Sequence, residues 1–422
     1  MTLAFTVAAV SSAVIAALLL GVVSGLLGTF VVVRRMALTG DMISHAVLPG
    51  IVAGLAWSTT RNPLVVLSCA VAAGVIGTLT LTAILRHTKL KADAALALVL
   101  SVFFAFGIAM ISKLQPAGVQ AFLYGQVAAI DRNDLILLTV VTLFTAVLLP
   151  LLFRVLGIVS FDPAFSRLMG LPVKWIELGF FLVLTIVIVI AMQAVGVVLV
   201  TAMLVTPAAA ARFCTASLPR TALLACVFGA AGGVVGVTIS AQGGGLPTGP
   251  LMALSVTGIF LGATLLGKRS GWIPTLLRRR RERIRIVGED MLKRLWQREE
   301  TVGRNVALPT AEFRQAIPGN VAAALRKLTS SGWVEVSEYK VSLTRSGRKF
   351  AASLVRAHRL WERYLTERAS YKPDHVHESA ERAEHWLDEE GRRRLEERLG
   401  RQELDPHGSR IPAEDDGKEA RP

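Results

Sequence analysis

The sequence predicts an all-α polytopic membrane helical bundle of eight or nine transmembrane helices, followed by a C-terminal α+β winged-helix and helical domain. Hydrophobic residues make up 53% of the 422 residues. Residues 1–270 hold 15 Lys and Arg with 6 Asp and Glu, whereas residues 271–422 hold 31 and 25. So abrupt a change in charge marks a boundary between lipid and water. From residue 289 onward, the apolar residues take the spacing of short amphipathic helices and a hairpin.

The apolar runs of the first part are long enough to span a bilayer, which requires about 20 residues per helix. They lie near residues 4–33, 37–58, 63–85, 94–112, 134–153, 176–200, 201–217, 219–240 and 249–267. The seventh run is short and partly polar, so the count stays at eight or nine. A run at 120–130 is too short to cross and is predicted to be a re-entrant or surface segment. The apolar N-terminus has no basic region before it and is predicted to stay as a span.

The loops between these runs differ in basic content. If the N-terminus lies outside and nine runs cross, the outside loops carry only Arg61, Lys113 and Arg132. The inside loops carry Arg34, Arg35, Arg86, Lys89, Lys91, Arg154, Arg167, Lys174, Arg212, Arg220, Lys268 and Arg269. Because Lys and Arg favour cytoplasmic loops, this pattern predicts a multi-pass protein of the cell (inner or cytoplasmic) membrane with a cytoplasmic C-terminus.

Asp41 and His45 lie inside the second apolar run, where ionisable residues are costly. Their i, i+4 spacing places both on one helical face. A carboxylate and an imidazole together suit a divalent ion such as Zn²⁺, Mn²⁺ or Fe²⁺. The alternative is a buried Asp–His pair that joins two helices. The pair is therefore the predicted transport-path metal site, with structural pairing as an equal alternative.

Two connecting segments carry further predictions. The loop 157–175 contains a short amphipathic run whose apolar residues Phe165, Leu168 and Met169 suit a groove on a partner. Its alternative is a plain connecting loop. Residues 271–288 are predicted to be a basic juxtamembrane linker, in which Arg278 to Arg281 attract anionic lipid at about 1 kcal/mol per charge. A nucleic-acid patch is the alternative for this basic run.

Three stretches of residues 1–270 resemble one family of membrane proteins. RRMALTGDMISHAVLPG (34–50) resembles the signature of permeases in the zinc, manganese and iron branch of ABC importers. FDPAFSRLMGLP (161–172) resembles that family's ATPase-docking loop, and AVGVVLVTAMLVTPAAAAR (194–212) its late helical stretch. The resemblance implies a permease homodimer that works with a separate ABC ATP-binding subunit and an extracytoplasmic metal-binding protein. No GxxxxGK followed by Ser or Thr is present, which agrees with ATP hydrolysis on another chain. No enzyme constellation is predicted.

The soluble part has the element order of a winged helix over residues 289–350. Helices are predicted at 289–300, 307–317, 319–332 and 344–369, with a hairpin at 333–344. The second helix of the central pair would face DNA. Its candidate DNA-binding side chains are Asn320, Arg326 and Lys327.

A His- and Glu-rich pattern follows in residues 351–412. His377, Glu381, Glu384 and His385 fall within an arc of roughly 100° on a predicted helix at 377–390. The preceding helix adds His358 and Glu362 at i, i+4. These six N and O ligands suit a Mn²⁺ or Fe²⁺ site, of one ion or two. The alternative is a solvated charged face with incidental histidines.

Residues 289–412 resemble the iron- and manganese-dependent repressor family, through HRLWERYL, VHESAERAEHWLDEE and LGRQELDPHGSRIP. The resemblance implies one ligand group of His358, Glu362 and His377, a second of Glu381, Glu384 and His385, and a further ligand at Asp290. Glu381 stands where iron-type members tend to have Cys, which favours Mn²⁺, with Zn²⁺ or Fe²⁺ as alternatives. Lys293 departs from the pattern, because manganese-type members have a carboxylate there. Residues 413–422 are predicted to be a disordered tail.

Two functions follow from these patterns. In the first, the chain is the permease of an ATP-driven divalent-metal importer, whose fused cytoplasmic domain senses metal and adjusts transport. In the second, the spans are largely an anchor, and the winged helix is a membrane-tethered, metal-dependent regulator of transcription. Asp41 and His45 favour the first, because an anchor needs no ionisable groups within the membrane.

Overall fold

A computed structural model describes residues 2–57, 63–115, 132–242, 246–303, 306–372, 376, 380–381, 389–399 and 404–412. The chain divides into two compact units, Met1–Thr275 and Leu276–Pro422. The boundary falls within the residues predicted to be a juxtamembrane linker. The predicted re-entrant or surface run at 120–130 and the predicted tail at 413–422 lie outside the described residues.

The first unit is a bundle of α-helices. They are α1 (Thr2–Val33), α2 (Thr39–Ala46), α3 (Leu48–Trp57), α4 (Pro63–His87), α5 (Ala92–Leu114), α6 (Arg132–Phe161), α7 (Pro163–Leu168), α8 (Val173–Val195), α9 (Val197–Cys214), α10 (Leu218–Gln242) and α11 (Thr248–Leu266). Among the described residues, seven helices are long and apolar enough to cross a membrane, namely α1, α4, α5, α6, α8, α10 and α11. The predicted membrane helical bundle is confirmed.

The two remaining apolar runs are shorter in the structure. The run at 201–217 lies in α9, whose apolar part, Leu199–Cys214, is below the length of the seven. The run at 37–58 is divided into α2 and α3 on either side of Val47. Pro49 accounts for this break, because it has no backbone N–H to donate to the carbonyl of His45, four residues earlier. Helical hydrogen bonding continues on both sides of the break, since the backbone N–H of Val47 bonds to the carbonyl of Ile43 at 3.0 Å and that of Ile51 bonds to the carbonyl of Val47 at 3.1 Å.

Small residues bring α1 close to α10, its most extensive neighbour. A Cβ atom on Gly25 would lie 2.5 Å from both the backbone carbon of Ala225 and the backbone nitrogen of Cys226. Such close approach of helix backbones is a common way to pack helices in lipid, where association relies on van der Waals contact. The core of the unit is apolar, with Leu20 and Phe30 fully buried.

The second unit begins within a long helix. Its elements are α12 (Trp272–Val302), β1 (Leu308–Pro309), α13 (Thr310–Ala316), α14 (Val321–Ser330), β2 (Val334–Ser337), β3 (Lys340–Leu343), α15 (Arg345–Arg368) and α16 (Glu389–Leu399). The strands form an antiparallel sheet in the order β1-β3-β2. Glu338 and Tyr339 connect β2 to β3 with φ of 47° and 67°, as a tight two-residue hairpin turn requires. The predicted winged-helix order is therefore present.

The structure differs from the predicted elements of the second unit in three places. The predicted helix at 307–317 begins only at Thr310, because Leu308 and Pro309 pair with β3 as a strand. The predicted helix at 289–300 is the second half of α12, which also includes the predicted linker residues from Trp272 onward. Helix α16 had no counterpart in the sequence prediction. An apolar core of Met291, Phe313 and Val341, all fully buried, holds α12, α13 and β3 together.

The contact between α1 and α10 gives a prediction for the membrane unit. Gly25→Leu should lower its stability by about 1–3 kcal/mol or more, because the side chain would be forced against the α10 backbone. The measurement is thermal unfolding of the detergent-purified chain. Gly258→Leu is the matched control, since no atom lies within 4 Å of a Cβ built there. Equal melting temperatures for the two variants would contradict the packing described.

Candidate metal sites and docking surfaces

Helix α2 carries Asp41 and His45, and four other helices enclose it. It packs against α4, α5, α8 and α9. Six of its eight residues are buried, and Asp41 and His45 are the two that are only partly buried. The His45 ring meets the Phe104 ring of α5 edge-on, with centroids 4.8 Å apart. The predicted pair therefore shares the accessible side of an otherwise enclosed helix.

Two hydroxyl groups of the same helix are also notable. Oγ1 of Thr39 and Oγ of Ser44 are buried and have no hydrogen-bond partner among the described residues. A buried polar group without a partner is unusual and calls for a functional or structural reason. The sequence prediction did not single out Thr39, Ser44 or Phe104. Hydroxyl side chains are too common in apolar helices for their presence to indicate a functional site. The contact with Phe104 comes from another helix, so the sequence around Asp41 and His45 does not reveal it.

Helix α7 and the residue that follows it, Met169, carry the three apolar side chains predicted to dock a partner. Asp162 caps the helix, because its Oδ1 accepts hydrogen bonds from the backbone N–H groups of Ala164 and Phe165 at 3.0 and 2.9 Å. Phe165, Leu168 and Met169 are 51%, 87% and 58% exposed. Exposed apolar side chains are typical of an interaction site, and docking of a partner at this helix stays a prediction.

In the second unit, His358 and Glu362 form a buried polar line with Lys293. Nε2 of His358 lies 3.0 Å from Oε1 of Glu362, and Nδ1 of His358 lies 3.2 Å from Nζ of Lys293. The three residues are 4%, 2% and 7% exposed. An ammonium group can only donate, so Lys293 donates to Nδ1 and the N–H at Nε2 donates to Glu362. Both ring nitrogens of His358 are thereby engaged.

The other predicted sensing ligands are dispersed or undescribed. Asp290 lines a cavity with Arg283 and Asn320, and Glu381 is exposed. His377, Glu384 and His385 lie outside the described residues. Within the described part of the chain, no three His, Cys, Asp or Glu side chains come together as a metal-holding group. The two predicted ligand groups therefore remain predictions.

The candidate DNA-binding residues lie at or on α14. Asn320 caps this helix, since its Oδ1 accepts the backbone N–H of Ala323 at 2.9 Å. Arg326 and Lys327 are exposed. The cavity beside Asn320 has a volume of about 780 Å³, and its lining includes Arg279 and Arg280 from the basic run. Part of the basic run thus lies near the start of the candidate recognition helix.

The described fold is that of a multi-pass helical membrane protein with a fused winged-helix unit, and comparison with known proteins identifies the family. The profile of the ABC 3 transport family matches residues 6–267. A second profile, for the metal binding and dimerisation domain of iron-dependent repressors, matches residues 344–413. The chain therefore belongs to the ABC 3 transport family and carries a repressor-like C-terminal domain.

Individual relatives agree with this membership. The chain is 38% identical over 274 residues to the zinc transport system membrane protein TroC of Treponema pallidum. The matched region covers 64% of this chain and 92% of the relative. It is 32% identical over 356 residues to the manganese transport system membrane protein MntC of Bacillus subtilis, over 82% of each chain. Among solved structures, PsaBC from Streptococcus pneumoniae in complex with Fab matches with a TM-score of 0.56 and 31% identity, over 62% of this chain and 93% of that one.

Proposed function

We propose that the chain is the transmembrane permease subunit of an ATP-driven importer for a divalent transition metal, with Asp41 and His45 on the transport path. One observation supports this most directly. These two residues share the accessible side of α2, a short helix that other helices enclose and that a break at Val47 separates from α3. Discontinuous helices commonly form substrate sites in transporters, because they free polar groups within the membrane. The relatives named for manganese and zinc transport favour Mn²⁺ or Zn²⁺ as cargo, and Fe²⁺ suits the same ligands.

A second copy of the chain would complete this metal site. One chain supplies one carboxylate and one imidazole from α2, whereas Zn²⁺ commonly takes four ligands and Mn²⁺ more. Two copies facing each other would bring two Asp41 and two His45 side chains to one ion. A symmetric pair is also the commonest form of protein oligomer. The permease is therefore proposed to act as a homodimer.

The remaining machinery is assigned to other chains. Exposed Phe165, Leu168 and Met169 of the α7 region would bind a groove on an ABC ATP-binding subunit. The bias of Lys and Arg toward alternate loops supports a cytoplasmic location for α7 and for the C-terminal unit. An extracytoplasmic metal-binding protein would deliver the ion on the opposite side. The chain itself would not hydrolyse ATP.

The fused unit is proposed to sense cytoplasmic metal and to inhibit transport when metal is abundant. Its match to a repressor metal binding domain supports metal recognition. The residues that would hold a divalent ion, with Mn²⁺ favoured, are the ligands that the resemblance implies, namely Asp290, His358, Glu362, His377, Glu381, Glu384 and His385. Metal can regulate transport only if it binds one arrangement of the unit more tightly than another.

A membrane-tethered regulator of transcription is the second candidate. It is favoured by exposed Arg326 and Lys327 on α14 and by the nearby basic residues Arg279 and Arg280. Phosphate contacts from such residues supply most of the affinity in protein–DNA complexes.

Removal of either proposed transport ligand should abolish uptake. Asp41→Ala and His45→Ala should each lower Mn²⁺ or Zn²⁺ uptake by at least the roughly 10–100-fold that loss of a group supporting a metal ligand costs. The measurement is radiolabelled-metal uptake into proteoliposomes that contain the assembled transporter. Asp93→Asn, which alters an exposed carboxylate of α5, is the control and should retain uptake. Normal uptake by both alanine variants would remove these residues from the transport path.

A charge on α7 should uncouple the ATPase. Leu168→Glu should weaken binding of the ATP-binding subunit by about 2 kcal/mol or more, because a carboxylate would replace an apolar anchor. Leu168→Met keeps the apolar character and should bind normally. The affinity between the purified permease and the ATP-binding subunit measures both variants. Unchanged affinity for Leu168→Glu would exclude this part of the proposed docking surface.

The two roles of the fused unit can be separated by truncation. A chain that ends at Arg281 should transport normally at low internal Mn²⁺ and lose the inhibition that the full chain shows at high internal Mn²⁺. Uptake measured against internal Mn²⁺ tests this. An identical dependence for both chains would contradict regulation of transport. Mn²⁺-dependent binding of promoter DNA by the full chain in nanodiscs, lost in Arg326→Ala with Lys327→Ala, would favour the second candidate.

A further inference from the structure

Glu362, His358 and Lys293 are arranged like the carboxylate, histidine and metal ion of a metal site, with the ammonium group in the position of the ion. In metalloproteins, a ligating histidine usually donates its second ring N–H to a carboxylate, which fixes the ring and its tautomer. Glu362 accepts such a bond from Nε2 of His358 at 3.0 Å. At the opposite nitrogen, Nδ1, which carries the free lone pair of the ring in this tautomer, lies the ammonium group of Lys293 at 3.2 Å.

We propose that the Lys293 ammonium replaces the metal ion at His358, so that no divalent cation binds through this histidine. The lone pair of Nδ1 is the one available to a metal in this tautomer, and it already accepts a hydrogen bond from Lys293. A divalent ion at the same nitrogen would also stand beside a buried positive charge, which is strongly unfavourable at low dielectric. The residues therefore do not fit a metal in this ligand group.

The packing of α12 keeps Lys293 in place. Met291, Leu292 and Leu295 flank it along the helix and are completely buried in the core of the unit. The backbone at Lys293 cannot rotate outward without exposing these side chains. Lys293 itself is 7% exposed, and a buried ammonium is tolerated only when its donors are satisfied. Its bond to His358 is thus part of the fold.

This inference refines the proposed sensing function. The replacement of a metal by Lys293 is argued from geometry alone, and only its effect on sensing rests on the proposed function. The replacement leaves Glu381, Glu384 and His385, together with Asp290, as the ligands through which the fused unit would bind metal. The unit would then hold one ion fewer than a site built from both ligand groups. Lys293 would supply the missing positive charge permanently.

Metal stoichiometry of the full chain tests the inference. The purified chain in detergent is equilibrated with Mn²⁺ alone, and the bound metal per chain is measured by mass spectrometry after gel filtration. Wild type and His358→Ala should bind equal amounts. Lys293→Glu, which exchanges the cation for a carboxylate ligand, should bind about one more ion per chain. That gain should disappear when His358→Ala is added. Lys349→Glu, at an exposed lysine of α15, is the matched control and should gain none.

The outcomes distinguish this inference from the sensing proposal. If His358→Ala removes an ion from the wild-type chain, Lys293 does not replace a metal and the inference is overturned. If Lys293→Glu gains no ion although it melts like wild type, the inference is overturned as well. If the wild-type unit binds no Mn²⁺ while Lys293→Glu gains an ion, the inference holds and the sensing proposal fails.

Discussion

The hydrocarbon core of a membrane offers no hydrogen bonds to the polypeptide, and the whole of the first unit depends on this constraint. Long helices satisfy their own backbone groups, and glycines such as Gly25 let them pack backbone to backbone. The break between α2 and α3 is the exception. It is sustained because α4, α5, α8 and α9 enclose α2. That enclosure also leaves Asp41 and His45 on the one accessible side of α2, as the proposed transport path requires.

Hydropathy was sufficient to predict the membrane unit because transfer from water to lipid acts on every residue of a span. The nine apolar runs all correspond to helices in the structure. Hydropathy could not predict that the second run is two helices, because a missing N–H at Pro49 changes hydrogen bonding and leaves the apolar character intact. The spacing of Asp41 and His45 predicted a shared face. Their contact with Phe104 depends on tertiary packing, which a local pattern does not contain.

The second unit was predictable in its order of elements and less so in its details. Amphipathic periodicity identified α14 and α15, and alternation identified β2 and β3. Strand β1 has only two residues, which is too few to show a periodicity, and the sequence pattern therefore predicted a helix from residue 307. Helix α12 extends back to Trp272 because arginines are good helix formers, whereas the charge of the basic run suggested a linker. The departure at Lys293 was visible in the sequence, but its bond to His358 required the fold.

A cationic side chain has a constant effective concentration at its site, and this concentration does not depend on the concentration of free metal ions in the cell. The Lys293 ammonium is therefore present whether metal is scarce or abundant. The group that contains His358 and Glu362 would then stabilise the fold and would not respond to the metal concentration. The Hill coefficient of the response to metal cannot exceed the number of metal ions whose binding is coupled. A unit with one coordination position already filled by its own side chain would respond to metal gradually, over a wide range of concentrations, in place of a sharp threshold.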